Sequence, residues 1–211
     1  MENELKEIIA DSLASSLSYS DYRTLVDDLA ETGSTTGPEQ KASLVNYTKL
    51  NSRRLKRWDK TFKLTESALA QIKKWDRGVI WLVITESWCG DAAPTMPVMN
   101  RIAEQTEKVD LRVVLRDEHP ELMSHFLTNN AMSIPKLIMI DKETLEVLGD
   151  WGPRPSLATQ KVLAYKKLHG TLTSEFKEDL QLWYNKDKGT NTLEDLLSLL
   201  TLEDVGNSAL L

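Results

Sequence analysis

Apolar positions recur at helical spacing through the first third of the chain and then change texture. Leu5, Ile8, Ile9, Leu13 and Leu17 mark one amphipathic helix, and Tyr22, Leu25, Val26 and Leu29 a second. Ser18 or Ser20 is placed to cap that second helix and Gly33 to end it. Residues 33–38 form a loop of small and turn-forming residues. Leu44, Tyr47, Leu55 and Trp58 predict a longer helix. Thr65 then caps a further one, with Ala68, Ile72 and Trp75 inward and Gly78 as its stop. The first third therefore reads as all helix.

From Val79 to Ile84 every residue is apolar, and the short run with its branched side chains predicts a strand buried on both faces. Residues 90–107 read as a helix carrying Pro94 in its first turn and Pro97 as a kink. Residues 111–115 and 137–140 are further strands around a short helix at 120–127, and 143–147 reads as a hairpin partner. Residues 156–184 are helical, with a break near Gly170. This order implies an α/β sheet with one antiparallel hairpin. The expected organisation is a helical N-terminal extension at 1–62, a sheet domain at 63–185 and a helical or flexible tail at 186–211. In the tail, Leu193, Leu196, Leu197, Leu199 and Leu200 make a short amphipathic helix, to pack back on the chain or to dock a partner.

Bulk properties narrow the function. The 211 residues carry a net charge of −6, against a general nucleic-acid binder and giving no support to an anionic membrane surface. The start lacks a secretory pattern, the longest apolar run is far too short to span a membrane, and the single cysteine forbids an internal disulfide. A cytoplasmic protein is the expectation. His119, His125 and His169 are scattered, with no cluster at metal-ligand spacing, so neither metal nor cofactor is expected. Arg53, Arg54, Lys56, Arg57 and Lys60 form the one basic run, read as a solvated helix face unless it lies near Cys89.

The chemistry concentrates at Trp88-Cys89-Gly90-Asp91-Ala92, just after the buried strand. Pro97 follows Cys89 by eight residues, Ile134-Pro135 precedes an apolar strand, and Gly149 to Gly152 follow a strand pair. Together these points resemble the thioredoxin superfamily over residues 79–152, and specifically a bacterial thioredoxin-like subgroup with a Trp-Cys-Gly-Asp site. The resemblance implies a thioredoxin-like fold, a central mixed sheet flanked by helices. It also implies a cis Pro135 and a peptide groove in which the Ile134 backbone meets substrate, flanked by Trp88 and Gly90. Two departures stand out: Ala92 occupies the second-cysteine position, and Val83 the place of the buried strand acid.

Cys89 at a helix start meets free N–H groups and the helix dipole, which favour thiolate, while Asp91 opposes it. Two readings stay open. One is monothiol disulfide exchange or thiol redox sensing through Cys89, with a protein or a low-molecular-weight thiol or disulfide as partner and an external thiol for release. The other is a redox-inactive binding module that keeps the groove. Oligomeric state is left open.

Overall fold

The computed structural model describes the backbone of residues 2–207 and the side chains of residues 3–201. The chain runs α1 (Glu2–Ala14), β1 (Leu17–Ser18), α2 (Tyr19–Thr32), α3 (Ala42–Thr61), α4 (Glu66–Ile72), β2 (Val79–Thr85), α5 (Ala92–Ala103) and β3 (Val109–Leu115). It continues with α6 (Pro120–His125), β4 (Lys136–Asp141), β5 (Val147–Trp151), α7 (Ser156–His169), α8 (Ser174–Asp187) and α9 (Thr190–Asn207).

Among the described residues the strands form one mixed sheet in the order β1-β3-β2-β4-β5. β2 lies at its centre, parallel to β3 (Val83 opposite Val113) and antiparallel to β4 (Val83 opposite Leu137). All seven of its residues are buried, as a strand covered on both faces requires. Each fully buried aliphatic side chain there contributes roughly 1.5–3 kcal/mol. The fold is α/β and thioredoxin-like, with the expected helical extension. That extension shares the core: Ile9, Tyr22, Val26 and Leu55 belong to the same buried cluster as Trp81 and Ile138.

Four local expectations change. The first third is not all helix, because Leu17–Ser18 pair antiparallel with Val113 and Arg112 at the sheet edge. Ser18 still caps α2, its hydroxyl accepting from Asp21 N–H at 3.1 Å. The predicted hairpin strand at 143–147 is mostly turn. The Asp141 carboxylate accepts the N–H groups of Glu143 (2.9 Å) and Thr144 (2.8 Å), Leu145 sits at φ 57°, and the strand starts at Val147. The helix at 90–107 is confined to Ala92–Ala103, and the Thr65-capped helix ends at Ile72, leaving Trp75 beyond it.

The tail resolves its two readings by packing inward. Leu193, Leu196, Leu199 and Leu200 of α9 are buried. Asp195 accepts from Trp151 Nε1 (3.3 Å), Ser156 N–H (2.6 Å) and the Ser156 hydroxyl (2.9 Å), so it caps α7 from outside that helix. Residues 208–211 of the tail lie outside the described residues. No helix among the described residues is long and apolar enough to cross a membrane.

Candidate functional site

Cys89 is delivered to the sheet's end by a short turn after β2, and buried hydroxyls fix that turn. Ser87 N–H donates to Thr36 Oγ1 (2.9 Å), and Thr36 N–H donates to Ser87 Oγ (3.0 Å). Thr48 Oγ1 lies 2.8 Å from the same Ser87 hydroxyl, and Asn51 Nδ2 donates to the Ser87 carbonyl at 3.0 Å. Below it, Glu86 accepts Asp117 N–H at 2.9 Å through Oε1. Burial raises the Glu86 pKa above the ordinary carboxylate range. The helical extension thus holds the cysteine turn directly.

Cys89 itself is 6% exposed, and its thiol donates to the Ile134 carbonyl at 3.3 Å. Burial, and then the charge of Asp91, push it up to about 12. The N–H groups of Ala92 and Asp91 and the Arg154 guanidinium pull the other way and lose. Asp91 is held by Arg154 Nη2 at 2.7 Å and by the Tyr184 hydroxyl at 3.0 Å. Burial nonetheless leaves its own carboxyl above the usual range. Gln181 Nε2 donates to the Gly90 carbonyl at 3.3 Å, so α8 clamps the Cys89 turn from the far side.

The Ile134–Pro135 and Gly152–Pro153 peptide bonds are both cis. Gly152 has φ 122°, and a Cβ there would lie 2.2 Å from the Pro135 carbonyl oxygen, so only glycine lets the two loops meet.

Of the residues singled out in the sequence, Trp88, Cys89, Gly90 and Ile134 line one cavity of about 710 Å³. Pro135 is buried and does not line it. Arg116 lies 4.8 Å over the Trp88 ring and pairs with Asp117 at 2.8 Å. Ala92 and Val83, at the two positions that depart from the superfamily pattern, are both buried.

Sequence reasoning missed the walls. Leu44, Tyr47, Leu50 and Arg54 come from α3, and Leu180 and Gln181 from α8, while Arg154 follows the second cis bond. Tyr47, expected on an apolar face, is 41% exposed because that face borders the cavity. The one available signal was the basic run at 53–60, whose Arg54 approaches Gly90 to within 4.0 Å of where a Cβ would stand. The volume suits a small or narrow ligand.

Comparison with known proteins agrees with this fold. A crystal structure of a protein of unknown function from Pseudomonas aeruginosa is similar over 87% of this chain and 97% of its own, with TM-score 0.55 and 15% identity. An HIV epitope-scaffold structure is similar over 87% and 98%, with TM-score 0.52 and 17% identity. At such identities the likeness concerns the fold alone. No curated protein matches the sequence. A family model described as thioredoxin matches residues 37–169, from the loop before α3 to the end of α7, and the chain belongs to that family.

Proposed function

We propose that this thioredoxin-family protein is a binding module holding a narrow ligand in the cleft above Cys89. In this reading the cysteine is a neutral thiol in the floor. The state of Cys89 carries it: a buried thiol whose proton is committed to the Ile134 carbonyl at 3.3 Å, with a carboxylate two residues away. A thiol raised that far stays protonated at neutral pH, and the thiolate is the form that attacks a disulfide. The walls from α3 and α8 support a confined ligand rather than a broad protein surface. Arg154 Nε, buried and without a partner among the described residues, adds an unused donor on a residue that lines the cleft.

One observation favours the monothiol reading as a second. Cys89 lines the cavity, and the N–H groups of Asp91 and Ala92 already oppose the upward shift. There, the Cys89 thiolate would attack one sulfur of a disulfide and expel the other as thiolate. With alanine at 92, an external thiol would then have to break the mixed disulfide.

The rate of Cys89 alkylation by iodoacetamide against pH separates the two. The binding module predicts slow labelling, still rising above pH 9. A plateau with a midpoint below about 8.5, together with thiol-reversible capture of glutathione disulfide, would establish exchange chemistry instead.

A further inference from the structure

Most arginines in this acidic chain are neutralised where they stand. Arg23, Arg77, Arg101, Arg112, Arg116 and Arg154 each pair with a carboxylate. The remaining arginines, Arg53, Arg54 and Arg57, sit together on α3, and none has a carboxylate partner among the described residues. Their spacing puts them on one side of the helix. All three line a second cavity of about 480 Å³, whose opposite wall is Glu178, Gln181 and Asn185 of α8. Arg54 and Gln181 line the Cys89 cleft as well, so the two cavities adjoin across these side chains.

The groove is open to solvent, with Arg53, Arg57, Glu178 and Asn185 exposed and Arg54 half-buried. Arg57 Nη2 donates to Asn185 Oδ1 at 2.5 Å, tying the helices at one end. Among the described residues Arg54 Nη1 donates to Asn51 Oδ1, at 3.4 Å. Burial and the neighbouring Arg57 pull the Arg54 guanidinium below its ordinary pKa, and Tyr47 and Asp91 offset this only in part. Glu178 is the one carboxylate lining this groove, leaving two positive charges in surplus.

We propose that this groove is the anion end of the binding site, taking a phosphate group whose short apolar arm lies in the Cys89 cleft. A phosphomonoester carries close to two negative charges at neutral pH, matching the surplus, and three oxygens for forked guanidinium donors. A single carboxylate would leave the groove charged. The arm is short: Arg54 borders Gly90, and Arg57 is one helical turn further, roughly 5 Å along the axis. This inference rests on the cleft being a binding site, but not on the protonation state of Cys89.

Calorimetric titration with phenyl phosphate and with inorganic phosphate tests it on the full chain. Phenyl phosphate should bind more tightly than inorganic phosphate, and each of Arg54→Ala and the exposed Arg53→Ala should weaken it, by roughly tenfold for Arg54. Added salt should weaken it further. Arg112→Ala, which removes an arginine paired with Asp110 on β3, should leave it unchanged. No saturable binding of either probe up to about 10 mM would overturn the proposal. So would binding that survives replacement of all three arginines in a protein whose circular dichroism is native, or binding of a glutamate-rich peptide in place of phosphate. A reactive Cys89 in the alkylation assay would sink the neutral-thiol reading and leave this one standing.

Discussion

Asp91 and Arg154 face each other at 2.7 Å, one on the turn that carries Cys89 and the other just after the cis Gly152–Pro153 bond. The pair ties the two loops of the cleft together and places a carboxylate where it opposes thiolate formation. Asp91→Asn should therefore lower the Cys89 pKa from about 12 and speed its alkylation at pH 8–9. The same change strands Arg154, largely buried, and should cost stability on the order of 2–3 kcal/mol in urea unfolding. Faster alkylation without a shifted pH profile would mean that the substitution opened the site rather than removed a charge.

Ser87 holds the cysteine turn against the helical extension through Thr36 and Thr48. Ser87→Ala leaves the buried Thr36 N–H without its acceptor and should destabilise the protein by roughly 1–3 kcal/mol. The effect is local, so Cys89 should also become more accessible to alkylating reagent. A variant with wild-type stability would show that the hydroxyl cluster re-pairs without it.

Gly152 and Gly170 both have positive φ, at 122° and 75°, but only Gly152 is crowded. Gly170→Ala meets no atom within 4 Å and should cost only about 1 kcal/mol. Gly152→Ala would drive a Cβ to 2.2 Å from the Pro135 carbonyl oxygen and should prevent native folding or lower Tm severely. Parallel thermal melts of the two variants check the contrast.

Asp141 should contribute to the acid limb of the stability curve. Burial acts to raise it, but the Thr144 N–H, Arg77 and the Glu143 N–H outweigh that and hold it down at about 2. Its folded pKa lies below the unfolded value, so its contribution is complete above the ordinary aspartate range and is lost as pH falls from about 4 towards 2. Asp141→Asn should flatten that limb in pH-dependent urea unfolding. Asp91 and Glu86 have the opposite sign: burial raises both, so each costs stability as pH climbs above the ordinary carboxylate range.

Asp195 caps α7 across the interface with α9. Asp195→Ala should cost roughly 1–2 kcal/mol by removing the cap on Ser156 N–H. The loss should appear as a lower urea midpoint with unchanged slope. A fall in slope would instead show α9 detaching as a unit.

How much of this was legible depends on the range of the interaction. The central strand could be read from Val79 to Ile84 because a strand buried on both faces must be apolar throughout, whatever surrounds it. Gly33 as a helix stop and Thr65 as a cap were legible because each acts on backbone within a few residues. Cys89 and its neighbours were legible as a constellation, since four separated points in a fixed order are carried by the chain itself. The β5 boundary was not, because Asp141 captures the N–H groups of Glu143 and Thr144, and no hydrophobic pattern reports a carboxylate's choice of partner. The inward packing of α9 was favoured by its leucine spacing, but the surface that receives those leucines was not legible, because it is made by elements distant in the chain.

The sequence by itself determined the α/β order, the thioredoxin family pattern, the lone thiol and the missing second cysteine, all properties of residue type and spacing. Only the tertiary structure decided the thiol's state and the cleft's charge. Both come from groups far apart in the chain: Ile134, Arg154 and Tyr184 around Cys89 and Asp91, and α8 facing the arginines of α3. A pKa follows from burial and from the charges within a few ångströms, and a sequence does not contain those distances.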